Sequence, residues 1–76
     1  MTDKKQPEKT FRIGRLSATI WLNEGNEGRK FYSVDIVRNY QDKEGNWKTT
    51  SSFMHDELLS VAMLAQRAEK FIAETA

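Results

Sequence analysis

Residues 29–40 read Arg29-Lys30-Phe31-Tyr32-Ser33-Val34-Asp35-Ile36-Val37-Arg38-Asn39-Tyr40. Tyr32, Val34, Ile36, Arg38 and Tyr40 share one parity, and Phe31, Ser33, Asp35, Val37 and Asn39 share the other. Successive strand side chains point to opposite faces, so this alternation predicts a long half-buried strand. Downstream, Gln41-Asp-Lys-Glu-Gly-Asn46 is a polar, Gly-containing connection of the kind that joins antiparallel strands. It leads into a second strand, predicted over Trp47–Phe53, in which hydroxyl-bearing residues lie between two aromatics. Upstream, Asn23-Glu-Gly-Asn-Glu-Gly28 is another connection, rich in residues that tolerate positive φ. Before it, Leu16, Ala18, Ile20 and Leu22 alternate with Arg15, Ser17, Thr19 and Trp21. Phe11 and Ile13 carry the opposite parity, with Gly14 at the switch. A bulge or a break into two short strands at Gly14 brings both apolar sets to one face.

Beyond Phe53 the period changes. Leu58, Val61, Ala62, Ala65, Ala68 and Ile72 recur at three- and four-residue steps, which predicts an amphipathic helix; Leu59, Leu64 and Phe71 broaden its stripe. At 1.5 Å per residue, about 18 residues make a rod of roughly 27 Å. Asp56 and Glu57 stand where the positive end of that helix favours anions. Neither Ser52 nor Asp56 is followed three residues later by Glu or Gln, so the cap stays open between them. The fold class is therefore α+β: an antiparallel sheet of three to four strands, then one C-terminal helix packed on one face. A single helix shields one face, whose inward set is Leu16, Ala18, Ile20, Leu22, Tyr32, Val34 and Ile36. The other, with Trp21, Phe31 and Val37 among polar residues, is left to water or a partner.

The chain has 76 residues, 38% apolar and 30% charged, enough for one domain over 11–76 behind a charged tail expected at 1–10. A domain this small has a narrow stability margin, usually relieved by disulfides, metals or oligomerisation. It has no cysteine and one histidine, which excludes the first remedy and disfavours zinc; a homodimer is expected. Residues 1–50 carry ten Lys or Arg against seven Asp or Glu, and residues 51–76 carry two against four. The sheet half is thus mildly basic, short of the footprint of a duplex-DNA binder. With no apolar run of membrane length and no apolar leader, no membrane association and a cytoplasmic location are expected.

The stretch Tyr40-Gln-Asp-Lys-Glu-Gly-Asn-Trp-Lys48, followed by a short strand and an amphipathic helix, resembles the second hairpin and helix of the transcriptional positive cofactor four family. The similarity in order of elements spans roughly residues 13–72. It implies a β-β-β-β-α plan, single-stranded-DNA binding in transcription regulation, and dimers formed through helix and sheet. It also implies that Arg29 and Lys30 open a nucleic-acid-contacting strand and that Lys48 follows the second hairpin.

Single-strand binders need rings for bases and cations for phosphates. Trp21, Phe31 and Trp47 are the candidate rings; Arg12, Arg15, Arg29, Lys30 and Lys48 are the candidate cations. The competing reading buries those aromatics in core edges or a dimer contact and leaves the cations as ordinary solvated surface. His55 stands beside Asp56 and Glu57, but adjacent helical residues do not face one another, so it is read as a surface residue. Asp35 is free to pair with Arg15 or Arg29. Gly25 and Gly28 lie between strands, not between strand and helix, and serve a turn rather than a phosphate loop. No nucleophile, base and orienting group can be assembled. The reading is thus a non-enzymatic protein, without metal or small-molecule cofactor, that binds single-stranded DNA or RNA; the alternative is a homodimeric protein-interaction or structural module.

Overall fold

The computed structural model describes residues 6–75. Four strands, β1 (Lys9–Ile13), β2 (Leu16–Glu24), β3 (Lys30–Gln41) and β4 (Trp47–Thr50), form one antiparallel sheet in the order β1-β2-β3-β4. A helix, α1 (Leu58–Thr75), follows and packs against β1, β2 and β3.

Each connection has a local cause. Gly14 adopts φ +58° and Arg15 does not share the positive φ, the pattern of a two-residue type II′ hairpin turn, where glycine is favoured at the first position. Ile13 then faces Leu16, and Phe11 faces Ala18, so the break places both apolar parities on one side. At the β3–β4 hairpin, Asp42 Oδ1 accepts the N–H groups of Glu44 and Asn46, each at 2.9 Å. Gly45, at φ +86°, closes that turn. The charged segment expected to be a tail contributes to the sheet: β1 begins at Lys9, and Glu8 N–H donates to Ile20 O at 2.8 Å. Backbone pairing with the longer β2 does not require apolar side chains. Residues 1–5 lie outside the described residues.

β4 is shorter than the expected Trp47–Phe53. Thr50 Oγ1 accepts Ser52 N–H at 3.1 Å and Arg38 Nε donates to Ser52 O at 3.3 Å, drawing the chain out of the sheet. Phe53 then packs against the core. The helix start is tied to β3. Glu57 accepts Met54 N–H at 2.9 Å, and its carboxylate lies 3.4 Å from Arg38 Nε. The cap is therefore the reaching-back half of a capping box with Met54 at its head, rather than Ser52 or Asp56. Sequence inspection missed it because that signature is sought at Ser or Thr. At the other end, the rings of Phe71 and Phe11 meet edge-to-face at 6.3 Å, so α1 reaches from the β3–β4 side to β1.

The core lies between the helix and the inner face: Leu16, Ala18, Ile20, Leu64 and Ala68 are buried, with Phe11, Ile13, Val34, Ile36 and Val61 partly buried around them. Leu22 and Tyr32 share that face but remain half-exposed. They lie where the β2–β3 hairpin runs on past its neighbours: β1 pairs with β2 only as far as Ile20, and β4 with β3 only from Arg38 onward. Leu59, expected to broaden the buried stripe, is 82% exposed.

Candidate nucleic-acid interface

On the face away from α1, register places Arg12, Ser17 and Val37 in one row, Thr10, Thr19 and Asp35 in the next, and Trp21 opposite Ser33. Asn39 stands opposite Thr49, and Gln41 opposite Trp47. Among the described residues, no helix or second sheet covers these side chains.

The eight candidate residues divide by position. Arg12, Arg15 and Trp47 come together at the end of the sheet where the Gly14 turn meets β3 and β4. With Gly14 and Asn39 they line a concavity of about 350 Å³. Trp47 is 69% exposed; Arg12 and Arg15 are exposed. The turn is held against β3, since Asn39 donates both its N–H (2.8 Å) and its Nδ2 (3.3 Å) to Arg15 O. Asn39 was not among the sequence candidates, although its parity already placed it on this face.

Phe31, 53% exposed, and Arg29 stand at the opposite end, beside the Gly25–Glu27 loop. Trp21 lies on the same face, half-buried, and its indole N–H donates to Asp35 Oδ2 at 3.1 Å. That carboxylate was expected to pair with Arg15 or Arg29. Trp21 reaches it because it sits two positions along β2 from Thr19, the residue opposite Asp35. Lys30 and Lys48 are not brought to this face. Each has the parity of the helix side, Lys30 in register with Glu24 and Lys48 with Tyr40. Lys48 Nζ instead lies 3.5 Å from Asp42 Oδ2. The Asn46 N–H above all holds the Asp42 carboxyl below its ordinary value; desolvation opposes it, and the Glu44 N–H and the Lys48 ammonium add to the lowering.

Electrostatically, the outer face is polarised. Two guanidinium-bearing residues share a concavity with an open indole at one end, and a carboxylate engaged by Trp21 lies farther along β3. The first end offers a ring for a flat group, cations for an anion, and an amide side chain between them. Among the described residues, no group of three or more His, Cys, Asp or Glu is placed to hold a metal ion, and no helix is long and apolar enough to cross a membrane. No family model, curated protein or solved structure matches the chain.

Proposed function

We propose that the chain binds single-stranded nucleic acid on the outer sheet face, at the end built by Arg12, Arg15, Asn39 and Trp47. One observation carries the reading: an indole open to solvent shares a concavity with two arginines. A base stacks on the Trp47 ring while the guanidinium groups of Arg12 and Arg15 take the adjoining phosphates. The Asp35 carboxylate repels phosphate farther along β3, so the backbone path keeps to the turn end. The plan of four strands and a helix supports the resemblance to the positive cofactor four family, whose members bind single-stranded DNA. Lys30 and Lys48 are set aside from the contact set because their strand positions face the helix side.

The test is fluorescence titration with labelled single-stranded and duplex oligonucleotides at two salt concentrations. Trp47→Ala is expected to weaken single-strand binding by about 5- to 150-fold, the equivalent of one stacked base at roughly 1–3 kcal/mol. Removing Arg12 or Arg15 lowers the slope of log affinity on log salt by about 0.7 each. Binding that is absent at low salt, or unchanged in Trp47→Ala, overturns the reading.

A further inference from the structure

Several cations of this chain have a carboxylate close by. Lys48 Nζ lies 3.5 Å from Asp42 Oδ2, and Arg38 Nε lies 3.4 Å from Glu57 Oε1. The loop cavity beside Arg29 also holds Glu27, and the one that Arg67 and Lys70 share with Phe71 also holds Glu74. The turn end of the outer face differs. Arg12 and Arg15 line its concavity with Gly14, Asn39 and Trp47, and no carboxylate joins them. Among the described residues, neither guanidinium has an ion-pair partner.

The place also holds its shape without a ligand. Asn39 donates its N–H at 2.8 Å and its Nδ2 at 3.3 Å to Arg15 O, which fixes the turn against β3 and lowers the cost of ordering it on binding. At Gly14 a Cβ would meet nothing within 4 Å, so the space above the turn is open to ligand atoms.

We infer that this concavity prefers a nucleotide bearing a terminal phosphomonoester, held over Gly14 between Arg12 and Arg15 with its base on the Trp47 ring. The inference rests on the single-strand reading above and narrows it. Charge favours this ligand. An internal phosphodiester carries a single negative charge, whereas a phosphomonoester carries about −1.5 to −2 at pH 7 and three strong acceptor oxygens. One such group satisfies both guanidiniums at once through charge-assisted, forked hydrogen bonds. An internal strand has to set successive phosphates on separate arginines. The layout favours a chain end as well. Asp35 lies on the same strand as Asn39, four residues nearer the β2–β3 loop and thus about 13 Å along β3. A strand that ran on over the sheet would carry its phosphates to that carboxylate. One that ends at the turn does not.

Phosphomonoesters occur at strand ends and on free mononucleotides, and the test separates the two. Competition against a labelled oligothymidylate measures unlabelled strands of about ten nucleotides, ending in hydroxyls, in a 5′-phosphate or in a 3′-phosphate. The thymidine 5′- and 3′-monophosphates are measured beside them. One of the two phosphorylated strands is expected to bind at least about tenfold more tightly than the hydroxyl-ended strand. Only one gains, because a base on Trp47 and a phosphate over Gly14 fix the polarity of the chain. The advantage is expected to fall below about threefold in Arg12→Gln and in Arg15→Gln. It is also expected to shrink between about pH 7.5 and pH 5, as the monoester loses its second charge with a pKa near 6. Arg12 and Arg15 stay charged over that range, and Gly14, Asn39 and Trp47 do not titrate. Comparing strands at each pH cancels changes elsewhere in the chain. A monophosphate that competes as well as the better strand assigns the site to free nucleotides, and a weaker one assigns it to strand ends; both uphold the phosphomonoester. Equal affinity of phosphorylated and hydroxyl-ended strands overturns the inference and leaves the single-strand reading in place. An advantage unchanged in both glutamine variants, or unchanged at pH 5, does the same. Absence of binding by every strand overturns both.

Discussion

The register of the helix on the sheet can be tested by truncating two leucines five residues apart. Leu64 is 0% exposed and packs against Leu16 and Ala18, whereas Leu59 is 82% exposed. Leu64→Ala loses the transfer energy of its side chain and leaves a hole above Ala18, a residue too short to move into it. Such truncations cost about 2.7–5 kcal/mol, and poor collapse favours the upper part of that range. A chain of this length is stable by only about 4–11 kcal/mol, so the substitution removes a large fraction of the total. Leu59→Ala is expected to change stability by less than about 0.5 kcal/mol. Guanidinium titration at one fixed low protein concentration measures both, followed by the fluorescence of Trp21 and Trp47, which lie on the opposite face. With a slope near 2 kcal/mol per molar, the Leu64→Ala midpoint should fall by about 1.3–2.5 M while that of Leu59→Ala stays in place. Equal losses in the two variants, or a loss below about 1 kcal/mol in Leu64→Ala, would refute this helix orientation.

Two further outcomes follow from the turns. Gly14→Ala should cost about 1–2 kcal/mol in a thermal or denaturant melt. A new Cβ there meets nothing within 4 Å, so the cost is that of holding an L-residue at φ +58°. Asp42, whose carboxyl is held below its ordinary value of 3.8, favours the folded chain above that value and loses this contribution as pH falls through the lower folded value. Carbon-13 NMR titration of its carboxyl should give a midpoint below 3.8, and Lys48→Ala should move that midpoint upward.

Most of the fold was legible because its signals are local and periodic. The alternation from Phe31 to Asn39 specified a strand with one buried face. Gly14 at a change of parity marked a bulge or a break into two short strands, and the three- and four-residue steps after Leu58 specified the helix. Events depending on a partner distant in sequence were not legible. Thr50 and Ser52 look like strand residues until Arg38, fourteen positions from Ser52, is seen to hold its carbonyl. Glu57 looks like a dipole-favoured anion until the same arginine is found beside it. The candidate interface was legible in residue types, since Arg12, Arg15 and Trp47 were all named. Their convergence depends on register, which aligns the Gly14 turn with Asn39 and brings β4 alongside. Parity alone already separates Lys30 and Lys48 from Phe31 and Trp47, because neighbours along a strand point to opposite faces.

Every strand lies next to its neighbour in the chain, so the sheet can assemble by closing one short loop after another, without threading a crossover. Bringing Phe71 to Phe11 joins the two ends of the domain and requires a long loop. Hairpin zipping takes microseconds, whereas distant closures carry the entropic cost that slows folding. The meander therefore favours rapid folding, with docking of the helix end onto β1 as its slowest search.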